Sequence, residues 1–129
     1  MSEQLAAGFA RTFGSASVST KVLDDAVTKA IWVSMPDGPD ICVLVRPDDP
    51  TTLITCADYT FESVPLEDVE EFVEAIHSSR ARIEVTGRLW RRITLHVPVG
   101  QTEFASSHTD HGGYDDWETA LMRSKRVGP

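Results

Sequence analysis

The side chains best suited to chemistry lie late in the chain, where His96 is followed by the run His108-Thr109-Asp110-His111. Imidazole and carboxylate groups are ligands for zinc and other transition metals. His96, His108, Asp110 and His111 therefore form a candidate metal group, and with it a candidate metal-dependent or small-molecule enzyme site. The spacing argues against that reading. No two of these histidines have the His-x-x-x-His separation that places both on one helical face, and a structural site needs a defined ligand pattern. The flanking Ser106-Ser107 and Gly112-Gly113 read as an exposed polar loop, whose histidines beside Asp110 would gain charge near neutral pH.

Cys42 and Cys56 are the next candidates. A hairpin centred on Asp49 would set them opposite each other, close enough for a bridge or a shared metal. Two small buried apolar side chains are the plainer expectation, because nothing in the chain points to an oxidising compartment.

Charge offers a third and a fourth candidate. Residues 80 to 92 hold five arginines and one glutamate, with Trp90 among them, whereas residues 58 to 74 hold seven acids and no base. Arg82, Trp90 and Arg92 have the composition of a binding hot spot, since tryptophan and arginine dominate interface energetics. The same set could stack a base beside phosphate-binding arginines. The plain alternative buries Trp90 and pairs the arginines with Glu84 and nearby acids. Glu67, Glu70, Glu71 and Glu74, with Asp68, make a carboxylate face that could steer a basic partner. Most such faces are simply solvated, with a favourable helix dipole.

No nucleophile elbow, phosphate-binding loop, dinucleotide fingerprint or His-Glu-x-x-His stands in the chain. With 20 acidic residues, any catalytic carboxylate pair would be an arbitrary choice. The expectation is a non-catalytic protein without a cofactor.

These side chains must be held by elements that the apolar pattern outlines. Leu5, Phe9 and Phe13 share one face of an N-terminal helix. Strands follow at Val18–Val22, Lys29–Met35 and Ile41–Val45, the last a continuous apolar run that reads as covered on both faces, and then at Thr52–Ala57. Pro65 opens an amphipathic helix over about 65–79, with Leu66, Val69, Phe72, Val73 and Ile76 as its apolar stripe. Arg82 to Val85 and Leu89 to Val97 form a hairpin. A three-residue loop, Thr86-Gly87-Arg88, pairs Val85 with Leu89 and puts Ile83, Val85, Leu89, Ile93, Leu95 and Val97 on one face. Trp90, Arg92 and Arg82 then share the other face. Gly100 to Asp116 reads as polar loop. Asp115 and Glu118 have capping-box spacing ahead of a short final helix carrying Trp117 and Leu121.

The fold expected is α+β: a single domain over 1–129 with frayed ends and a mostly antiparallel sheet of five to seven strands in hairpins. The 129 residues suit one domain that can bury a core without staples. A net charge of -8 excludes generic coating of phosphate backbones and of anionic membranes. No apolar run reaches the roughly 20 residues of a spanning helix. The opening Met1-Ser2-Glu3-Gln4-Leu5 lacks the basic start of a secretory leader, so a cytoplasmic location is expected.

The element order, size and acidity are similar to the layout of small acidic secretion chaperones, a likeness that no residue motif carries. The leading expectation is a protein-binding module: a chaperone, adaptor or toxin-neutralising partner acting through a charge-segregated surface. Its partner would be another protein, with a two-fold homodimer as a further arrangement and no membrane role. The metal-dependent enzyme ranks second, and single-stranded nucleic-acid binding through the arginine hairpin ranks third.

Overall fold

The same periodicities shape the computed structural model, which describes residues 2–14, 17–23, 28–34, 38–109 and 113–127. Among the described residues the order is α1 (Ser2–Phe13), β1 (Val18–Val22), β2 (Lys29–Val33), β3 (Ile41–Val45), β4 (Thr51–Cys56), β5 (Tyr59–Pro65), α2 (Val69–His77), β6 (Arg82–Thr86), β7 (Arg92–Val99), β8 (Thr102–Thr109) and α3 (Asp116–Val127). The class is α+β. Two antiparallel meanders run in sequence order, β1 to β5 in one sheet and β6 to β8 in the other.

Alternation along each strand sends one set of side chains inward. Ile31, Val43, Ile54 and Phe61 line up across the first sheet in pairing register, as do Val33, Ile41, Cys56 and Tyr59. All eight are buried. The second sheet turns Ile83, Ile93, Leu95, Val97 and Val99 onto the same core, and the helices add Leu5, Phe9, Val69, Phe72, Val73, Ile76 and Leu121. Phe72 sits where the sheets meet. Its ring lies 4.8 Å from Phe61 of the first sheet and 5.8 Å from Phe104 of the second, edge-on in both cases. Nearby, the Thr60 N–H of β5 donates to the Ser106 hydroxyl of β8, so a side chain links the sheet edges.

Four local details depart from the sequence expectation. Pro65 ends β5 and does not open the helix. The N–H of Leu66 is taken by the Pro50 carbonyl, which prolongs the β4–β5 pairing and leaves a single 3-10 turn, Leu66–Asp68, ahead of α2. β3 is buried only on its Ile41, Val43 and Val45 side, while Cys42 and Leu44 are half-buried on the other. The stretch after Gly100 is no loop: Thr102–Thr109 pairs with the whole of β7, from Val99↔Thr102 to Arg92↔Thr109. Its alternation escapes notice because Phe104 is its one large apolar residue. The hairpin between β6 and β7 carries a longer loop. Thr86 pairs with Arg92 and Val85 with Ile93, so Gly87 to Arg91 all lie in the loop.

Buried acids set the response to alkali. Burial pushes the Cys56 thiol and the Tyr59 phenol well above their ordinary values of 9.0 and 10.0, and the Glu118 carboxylate raises both further. Because the folded values are raised, this stability is full below the unfolded values and is lost as pH rises past them. We expect unfolding free energy to fall from about pH 9, first through the thiols of Cys56 and of Cys42, which burial also raises, and then more steeply above pH 10 as Tyr59 joins, at up to about 1.4 kcal/mol per pH unit per group. Urea melts at stepped pH will measure this, and Cys56→Ala should flatten the fall between about pH 9 and pH 10, where the half-buried Cys42 thiol remains.

Candidate functional site

The five-residue loop changes what the hairpin presents. Gly87 holds φ +90°, where a Cβ would run into the Trp90 carbonyl, so the loop closes tightly only because residue 87 lacks a side chain. The chain then carries Leu89 and Trp90 out to the tip. Leu89 is 91% exposed and Trp90 84%, and Arg88, Arg91 and Arg92 around them are exposed as well. Leu89, expected in the core face of β7, is thus corrected to the tip, and Trp90 lies at the tip as well and not on a sheet face. Large apolar side chains in this state cost solvation free energy that a partner surface would recover.

Arg82 does not join the tip. It lies at the far end of β6, opposite His96, on the outward face of the second sheet. There its guanidinium reaches Glu103 at 3.2 Å and Glu84 at 3.9 Å. His96 Nδ1 lies 2.9 Å from the same Glu103 oxygen, and its Nε2 lies 3.6 Å from Glu84. The two carboxylates therefore flank the imidazole at opposite ends, beside a cation. That is an ion-pair network and not a convergent metal site.

The remaining metal candidates do not gather either. His108 pairs with the inward-facing Ile93, so its ring points into the molecule, 4.8 Å from Tyr59, whereas His96 points outward. The pleat keeps them on opposite faces of the second sheet. Asp110 and His111 lie outside the described residues. Among the described residues, no group of three His, Cys, Asp or Glu side chains is arranged to hold a metal ion.

Cys42 and Cys56 are not opposite each other. Cys56 pairs with Ile41 and Cys42 with Thr55, one residue away from the expected register, which turns the two thiols to opposite faces. Both are free.

The acidic helix is exposed as expected at Glu67, Glu70, Glu71 and Glu74. Glu74 has an ion-pair contact with Arg80 at 3.8 Å. Glu67 and Glu70 border an open groove of about 730 Å³, whose apolar walls are Leu5, Pro50, Pro65 and Leu66. The size is within the range of about 300–1,000 Å³ for ligand pockets. Gly8 lets α1 pass under the Glu70 carboxylate, which occupies the space that a side chain on residue 8 would need. The groove is invisible in the sequence because its walls come from three separate segments.

A buried polar contact anchors the chain's end. Tyr59 donates its hydroxyl to Glu118 Oε2 at 2.7 Å, and the Asp115 N–H donates to Glu118 Oε1 at 2.9 Å. The expected capping contact is therefore present, with a second function as acceptor for a core tyrosine. No protein-family model matches the chain, and no curated protein or solved structure matches it significantly. Among the described residues no helix is long and apolar enough to cross a membrane.

Proposed function

We propose that the protein is a non-catalytic binding module that docks another protein through the β6–β7 hairpin tip, with the acidic face of α2 as a second surface. The exposure of Leu89 and Trp90 among arginines carries this reading. The two apolar side chains supply a core to be desolvated, and the arginines supply a charged rim, which is how hot spots are built. The fitting partner surface is an apolar pocket rimmed by carboxylates. Arg82 belongs to the outward ion-pair network and contributes nothing directly at the tip. A cytoplasmic chaperone, adaptor or toxin-neutralising partner would use such a surface, and the chain's acidity keeps it away from bulk nucleic acid.

The test is quantitative affinity capture from lysate of the source cells, with wild type, Trp90→Ala and Arg92→Glu as bait. Trp90→Ala should lose a specific partner by at least about 30-fold, the size of a hot-spot loss, and Arg92→Glu should lose it in a salt-dependent way. Far-UV circular dichroism checks that both variants stay folded. A partner set retained equally by all three baits removes the tip as a docking surface.

A further inference from the structure

The tip and the groove on this chain have complementary chemistry. The tip is apolar at Leu89 and Trp90 and positive at Arg88, Arg91 and Arg92. The groove between α1, the start of β4 and the approach to α2 is apolar at Leu5, Pro50, Pro65 and Leu66 and negative at Glu67 and Glu70. The near-complete exposure of Leu89 and Trp90 shows that they do not fill their own chain's groove. We infer that the hairpin tip of one copy docks in the α1–α2 groove of a second copy. The inference rests on the reading of the tip as a protein-docking surface and names its partner as another molecule of this chain.

Two different surfaces meet in such a contact, so it is heterologous. Each bound copy still offers a free tip and a free groove, and association continues head to tail until a ring closes or a chain grows. The contact is small. A tryptophan with its neighbours covers far less than the roughly 1,200–2,000 Å² of a stable interface, so association is weak and concentration-driven. Opposed charge at the rim makes it salt-sensitive, because exposed charges are screened within about 8 Å at physiological ionic strength.

Sedimentation velocity on the full chain, from about 10 μM to about 1 mM in low salt, reads the outcome directly, over the weak range that a contact below standard size implies. The wild type should form a concentration-dependent series beyond the dimer that collapses in high salt. Trp90→Ala, without a working tip, should be monomeric. Glu67→Lys/Glu70→Lys, without a working groove, should also be monomeric. Mixing the two should restore a 1:1 dimer and nothing larger, since the mixture contains one good tip and one good groove per pair. Near-UV circular dichroism confirms that the exposed charge reversals leave the fold intact, and Glu67→Lys alone serves if the double change does not.

A mixture that stays monomeric overturns the inference, as does association that neither variant weakens. A monomeric wild type whose tip instead binds phosphatidylserine vesicles overturns it too. A monomeric wild type that still captures a different protein through Trp90 overturns self-docking and leaves the tip reading standing. Tip variants indistinguishable from wild type in both experiments overturn both.

Discussion

Phe72→Ala is expected to cost about 3–5 kcal/mol of unfolding free energy, the largest loss of any single truncation considered, because a fully buried aromatic ring is deleted and a cavity remains. The position explains why the site cannot collapse around the gap. Phe72 comes from α2, yet its two aromatic neighbours come from different sheets: Phe61 on β5 and Phe104 on β8. Shrinking the side chain would require two sheets and a helix to close together, which backbone pairing within each sheet resists. The edge-on geometry adds about 0.5–1.5 kcal/mol per aromatic pair beyond area burial. A domain of this size is stable by roughly 5–15 kcal/mol, so the loss is a large fraction of the total. Urea denaturation followed by far-UV circular dichroism measures the loss. Phe72→Leu, which keeps most of the volume, should lose under half as much. A loss below about 1 kcal/mol for the alanine variant would mean that the two sheets do not share this core.

Glu118→Ala is the second large effect, at about 2–4 kcal/mol. Two contributions combine. The Tyr59 hydroxyl, on a residue 1% exposed, loses its acceptor, and an unsatisfied buried donor costs about 1–3 kcal/mol. The Asp115 N–H at the start of α3 also loses its side-chain acceptor, a capping loss of about 1 kcal/mol. Tyr59 packs against Trp117 at 5.9 Å, so the damage should appear in tryptophan fluorescence as well as in the denaturation midpoint. Glu118→Gln keeps an oxygen and gains a donor that the phenol oxygen can accept, and it should cost less. The double variant Tyr59→Phe/Glu118→Ala should lose less than the sum of the single losses, since the second change removes a group already orphaned by the first. Additive losses would show that the hydrogen bond does not couple the tyrosine to α3.

Phe72 and Glu118 both make contacts between elements, which the neighbouring residues along the chain do not define. The α2 stripe of Val69, Phe72, Val73 and Ile76 is legible because a helix repeats its face every three or four residues, and all four are buried. The capping pair Asp115 and Glu118 is legible for the same local reason. Nothing local, however, connects Glu118 to Tyr59, which stands 59 residues earlier.

The candidate site divides in the same way. Clustering of charge is a property of neighbouring residues, and so the arginines at the β6–β7 hairpin and the carboxylates of α2 stand out in the sequence itself. The tip does not. A three-residue loop pairing Val85 with Leu89 and the observed five-residue loop pairing Val85 with Ile93 differ by an even step, so Ile83, Val85, Ile93 and Leu95 face inward in both. The apolar pattern cannot distinguish them, yet the choice moves Leu89 from core to solvent. The opposite holds for the thiols, where a single-residue difference in register sends Cys42 and Cys56 to different faces.

The chain's own order of residues settles the class, the three helices, most of the strands, the inward faces and the separation of charge, because each follows from periodicity or composition over a short span. Tertiary structure alone decides the strand registers, the pairing of β8 with β7, the union of two sheets around Phe72 and the exposure of the Leu89-Trp90 tip. It also assembles the acidic groove from α1, β4 and the approach to α2. The physical reason is that these depend on which distant groups meet, and the free energy of such meetings is shared among packing, hydrogen bonds and loop closure that no short window contains.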